Sequence, residues 1–110
     1  MTSGHRLTHV GLCVRDVERS SDFYCSALGF RRIGGMHVAD DASARLLDVD
    51  GLVLELVYLE RDGFRLELLG FTEPGSTGVP EARAMNALGF THLSFRVDDV
   101  DALSAAIVAH

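Results

Sequence analysis

Eleven residues near the start of the chain, LTHVGLCVRDV from Leu7, return near its end as FTHLSFRVDDV from Phe90. Thr8-His9 matches Thr91-His92, Val14 matches Val97, and Asp16-Val17 matches Asp99-Val100. Leu7/Phe90, Val10/Leu93 and Leu12/Phe95 exchange one apolar residue for another. A phrase written twice, 83 positions apart in a chain of 110, points to two copies of one supersecondary unit.

The first unit reads clearly. Residues 7–14 alternate, with Thr8, Val10, Leu12 and Val14 on one face and Leu7, His9, Gly11 and Cys13 on the other, so they form a strand. Asp16 is a good N-cap, and VERSSDFYCSAL sets Val17, Ser20, Tyr24 and Ala27–Leu28 on one helical stripe that Gly29 stops. FRRIGG is a second strand, ending in a glycine pair before the polar loop HVADDAS. Residues 44–59 hold one or two strands, of which LVLELVYL is the clearest. ERDG turns the chain and FRLELLGF returns as the last strand, giving β-α-β-β-β over residues 7–71.

Residues 72–89 link the units, and PEARAMNAL within them predicts a short helix opened by Pro80 and stopped by Gly89. Phe90–Val97 then repeats the first strand, and Asp99 caps a helix carrying Val100, Leu103 and Ile107. Judged by the first unit, the second is expected to run well past His110. A partial second module over residues 90–110 is thus expected, continued by residues beyond these, completed by another chain, or truncated by design.

Composition excludes several functions. A net charge of −6 makes a phosphate backbone an unsuitable partner, so no nucleic acid is expected. All ten basic residues are Arg, which removes Schiff-base and general-base lysine chemistry. No apolar run approaches the roughly 18 residues of a membrane span, and MTSGHRLTHV lacks the features of a signal peptide. The chain reads as cytoplasmic and unattached to membrane, with Cys13 and Cys25 as buried free thiols.

The repeat also frames the chemistry. His9 and His92 occupy equivalent positions, each opposite the strand face that should pack on a helix. If two such units pair about a twofold axis, both imidazoles enter one cleft, and neutral imidazole is a good ligand for Zn, Ni, Co or Fe. A third ligand is expected from the hairpin, at Glu55 in LELVY or Glu67 in LELLG. A two- or four-residue turn sends these glutamates to opposite faces and a three-residue loop to the same face. The strand nearest the end of the unit favours Glu67. His5 and His37 read as surface histidines, and Arg96 shares the face of His92.

The opening THVGLCVRDV with FY and LGF, the strand RLELLG and the restart THLSFRVDDVD together resemble the vicinal oxygen chelate superfamily, over the whole chain after residue 6. That family includes glyoxalase I, methylmalonyl-CoA epimerase, extradiol dioxygenases and bleomycin-resistance proteins. The resemblance implies an α+β fold of paired βαβββ modules, glyoxalase-like, with metal ligands on the first and last strands of each module. It places the ligands at His9, Glu67 and His92, with Glu67 also catalytic. A fourth ligand, a Glu on the last strand of module two, has no counterpart before His110.

The implied function is a metal-dependent isomerase or epimerase, or a lyase, of the methylmalonyl-CoA epimerase or lactoylglutathione lyase type. The cofactor would be a divalent ion (Zn, Ni, Co, Mn or Fe) that stabilises an enediolate or enolate. The substrate would be a small molecule such as a CoA thioester or thiol adduct. The alternatives are a metal-free small-molecule binder of the bleomycin-resistance type and a type I extradiol dioxygenase. An unfinished second module favours a homodimer.

Overall fold

The computed structural model of the chain describes residues 4–79 and 81–110. Four strands, Val10–Cys13 (β1), Arg31–Val38 (β2), Val53–Arg61 (β3) and Phe64–Glu73 (β4), form one sheet in the order β1-β4-β3-β2. Three helices accompany them: Val17–Ser26 (α1), Asp41–Leu47 (α2) and Val100–Val108 (α3). The architecture is α+β, as expected.

β1 and β4 pair in parallel, and the other neighbours are antiparallel. The connection from β1 through α1 therefore carries the chain from one edge of the sheet to the other. α1 begins where Asp16 accepts a hydrogen bond from the Arg19 N–H at 3.1 Å. Its expected stripe is met in part: Ala27 and Leu28, just past its end, are buried and Val17, Ser20 and Tyr24 partly so, but the buried residue within α1 is Ser21.

That stripe covers the sheet face bearing Val57, Leu59, Leu66 and Leu68, which with Phe30 make the core. Leu59 and Leu68 are fully enclosed at 0% exposure, each contributing roughly 1.5–3 kcal/mol by burial. Gly70 lies under the same helix, where a Cβ would come within 3.1 Å of Val17.

The hairpin between β3 and β4 has a two-residue turn, since Arg61 pairs with Phe64. Asp62 (φ 53°) and Gly63 (φ 76°) both take the left-handed conformation, as a type I′ turn requires. This fixes the register that the sequence left open.

Five expectations are corrected. Ala44–Leu47 is helical rather than a strand: α2 is capped by Asp40, which accepts from the Ser43 N–H at 2.9 Å and its hydroxyl at 2.8 Å. Those bonds hold the Asp40 carboxyl below its usual pKa. The glycine pair Gly34-Gly35 does not end the second strand, because β2 runs on to Val38 along β3, with a bulge between Arg32 and Gly34.

The third correction concerns PEARAMNAL, of which Pro80 lies outside the described residues. Residues 81–89 make only a turn, with the Ala87 N–H on the Ala84 carbonyl at 3.0 Å. Met85 and Leu88 are exposed, so no packing stabilises a helix that short.

The fourth concerns the repeated phrase. Phe90–Val97 is not a strand, while the helix after it forms, with Asp99 accepting from the Ala102 N–H at 3.0 Å. A helix satisfies its own backbone, whereas a strand needs a neighbour, and no strand lies beside this segment among the described residues. It is docked instead by Phe95 against Phe30, ring centroids 6.4 Å apart. Lastly, the thiols are free, but Cys13 is exposed and Cys25 only partly buried.

Candidate functional site

The sheet face opposite α1 is open, and the strand registers specify what it presents. Gly11 on β1 pairs with Glu67 on β4, Glu67 pairs with Tyr58 on β3, and Tyr58 pairs with Gly34 on β2. Directly paired residues share a face, so Tyr58 and Glu67 lie side by side, flanked by glycines. Alternation along β1 brings His9 to the same face.

His9 Nε2 lies 3.6 Å from Glu67 Oε2. Its ring meets Tyr58 edge-on, with centroids 5.5 Å apart and planes at 84°. The other imidazole nitrogen, Nδ1, lies 2.8 Å from the Thr8 hydroxyl. The Glu67 side chain is 14% exposed, a carboxylate largely enclosed beside the two rings. The neighbouring Glu67 carboxylate, helped by partial burial, raises the Tyr58 pKa above 10.0. Tyr58 therefore stays neutral at any ordinary pH.

Glu55 faces the other way. It pairs with His37 across β2 and β3, and the two side chains form an ion-pair contact on the helix-bearing side. The two-residue turn thus separates the two glutamates, giving Glu67 to the open face with His9. His37 does not reach that face.

His92 lies elsewhere. It is exposed in the segment 90–97 and lines a depression of about 460 Å³ with Phe30, Arg61, Phe64, Phe95 and Arg96. Among the described residues, no group of three or more His, Cys, Asp and Glu side chains is close enough to hold a metal ion. The structure therefore brings two of the three expected ligands together and leaves the third apart.

The two that meet suit a divalent ion. Bonds of about 2.1 Å to imidazole nitrogen and carboxylate oxygen put neighbouring donors of a tetrahedral ion about 3.4 Å apart. The 3.6 Å between Nε2 and Oε2 is close to that separation and long for a hydrogen bond. His9 and Glu67 would hold such an ion, which needs further donors to complete its sphere.

Tyr58 was not among the expected site residues. Its signal was available: it lies in the strand next to RLELLG, and the turn ERDG with its Asp-Gly pair fixes Tyr58 opposite Glu67.

Comparison with known proteins agrees with the fold. The model of the glyoxalase/bleomycin resistance protein/dioxygenase superfamily matches residues 6–110, and the chain belongs to that superfamily. A solved glyoxalase family protein from Bacillus cereus superposes with a TM-score of 0.86 at 21% identity, over 99% of this chain and 74% of that one. The solved structure of SMU.1112c gives a TM-score of 0.62 at 26% identity, over 97% of this chain and 75% of that one. No curated protein matches. The fold is thus glyoxalase-like, and the superfamily includes many enzymes. No helix among the described residues is long and apolar enough to cross a membrane.

Proposed function

We propose that the chain is a metal-dependent isomerase, epimerase or lyase that moves a proton alpha to a carbonyl, with His9 and Glu67 as one half of its metal site. The observation that carries this reading is the 3.6 Å approach of His9 Nε2 to Glu67 Oε2 beside a neutral Tyr58 hydroxyl. A divalent ion bound there supplies electrophilic stabilisation of an enolate oxygen. On this reading Glu67 takes up or returns the proton, and the neutral Tyr58 hydroxyl beside it is the donor available to steady the carboxylate. His92 contributes once the segment 90–97 gains a strand neighbour, and a second copy of the chain is the neighbour we favour. Zn, Ni, Co, Mn and Fe all suit an imidazole–carboxylate pair.

A second reading has its own support. The two donors without a third are also what a metal-free relative that only binds a small molecule would retain. Native mass spectrometry of the whole chain, before and after chelation and after each of the five ions is added back, separates the two. One ion per site, lost in chelator and absent from His9→Ala and Glu67→Gln, supports the metal reading and warrants epimerase and glyoxalase assays. Protein that takes up none of the five in any oligomeric state overturns it in favour of the binding module.

A further inference from the structure

The open face is uneven in charge. Arg31 on β2, Glu60 on β3 and Arg65 on β4 form one cross-strand row, next to the row of Gly34, Tyr58 and Glu67. On the other side of Tyr58 follow Met36, Leu56 and Leu69. The face therefore runs from charged at the hairpin end to apolar at the far end, with Tyr58 and Glu67 between.

Glu60 is already engaged, accepting from Arg31 at 3.1 Å and from the Gly63 N–H at 3.0 Å. Arg65, its other neighbour, makes no ion pair among the described residues. The row carries one net positive charge in a chain of net charge −6. Above it lies a groove of about 610 Å³ bounded by Arg31, Gly34, Tyr58, Glu60 and Arg65. That volume suits a small ligand. The space over Gly34 is empty, since a Cβ there would meet nothing within 4 Å.

We propose that Arg31 and Arg65 form an anion subsite, which holds a carboxylate or phosphate of the substrate while its reacting end lies over Tyr58 and Glu67. This rests on the reading of the His9–Glu67 face as the substrate face. Guanidinium groups bind such anions through paired, charge-assisted hydrogen bonds. Alternate residues of a strand are about 7 Å apart, so the anionic group and the reacting carbon are a few bonds from each other. The substrate class is then a carbonyl compound with a compact anionic group at one end and an apolar remainder toward Met36, Leu56 and Leu69.

The test uses the isotopically labelled full chain in chelator, titrated with malonate and separately with inorganic phosphate, and follows the arginine side-chain resonances by NMR. Saturable shifts of Arg31 and Arg65 are expected, with affinity about tenfold weaker in Arg31→Met and Arg65→Met and unchanged in His9→Ala. Tighter malonate binding identifies a carboxylate, and tighter phosphate binding a phosphate. No saturable shift with either anion overturns the subsite, as does binding undiminished in both arginine variants. Loss of binding in His9→Ala but not in the arginine variants also overturns it, by moving the anion to His9 and Glu67, and leaves the metal reading standing. Arginine-dependent binding in a protein that takes up no metal sinks the metal reading and retains the subsite.

Discussion

The Thr8 hydroxyl lies 2.8 Å from His9 Nδ1, and the repeat reproduces the arrangement at Thr91 and His92, where the distance is 2.7 Å. The two pairs sit in different surroundings, one beside a sheet and one in an exposed segment. Their bond is therefore set by the Thr-His dipeptide and not by the site. With Nδ1–H donating to the hydroxyl, Nε2 keeps its lone pair and presents it to a ligand.

Removing that hydroxyl should loosen the imidazole without harming the fold. Thr8→Val is expected to weaken metal binding about 10–100-fold, read by competition with a chromophoric chelator. The thermal midpoint of the metal-free protein should stay unchanged, because Thr8 is exposed.

The open face depends on Gly11 having no side chain. A Cβ there would come 3.3 Å from Leu69 Cδ1 and 3.6 Å from Glu67 Oε1. Gly11→Val is expected to displace the carboxylate from His9 and lower metal affinity about tenfold or more. Gly34→Ala, where the space is open, should leave metal affinity unchanged in the same assay.

Tyr58 and Tyr24 both ionise above 10.0, Tyr58 through Glu67 and Tyr24 through burial. Each is an acid whose pKa is raised by folding, so the unfolded chain releases its proton first. The stability they contribute is complete below pH 10.0 and declines as pH rises from there through the folded values. The chain has no Trp, so ultraviolet titration of phenolate reports these two groups. In Glu67→Gln one titration should move down toward 10.0 while the Tyr24 titration stays where it was.

Arg61 fastens the second copy of the phrase to the first unit. Its guanidinium donates to the Leu28 carbonyl and stands 5.4 Å from the centroid of the Phe95 ring. Arg61→Met should cost about 1–3 kcal/mol in denaturant unfolding. The Phe95 ring resonances in the NMR spectrum should shift as its contact with Phe30 loosens, more than resonances in β3 and β4.

The sheet shows where reading the chain succeeded and where it did not. Alternation placed His9, which lies just ahead of β1, on the side that carries Glu67, and Asp16 and Asp99 start the helices assigned to them. The leucine-flanked glutamates were found, but their faces depended on turn length, which the backbone at Asp62 and Gly63 settled. α2 was missed although Asp40 and Ser43 form a recognisable cap, because the valines and leucines around it suggested extended chain. PEARAMNAL failed in the opposite sense: its local pattern is helical, but Met85 and Leu88 stay exposed and stabilise no helix by packing.

What the sequence determined by itself is the set of features satisfied within a few residues: the Thr-His hydrogen bonds, the aspartate caps and the Asp-Gly turn. Each recurs or forms wherever its residues stand, because every partner it needs is nearby in the chain. Tertiary structure alone decided which extended segment became a strand. Val10–Cys13 has β4 to accept and donate its hydrogen bonds, while its echo at Phe90–Val97 has no such neighbour among the described residues. The same cause separates the two histidines: one is carried by a sheet to Glu67, and the other lies in a segment with no strand beside it among the described residues.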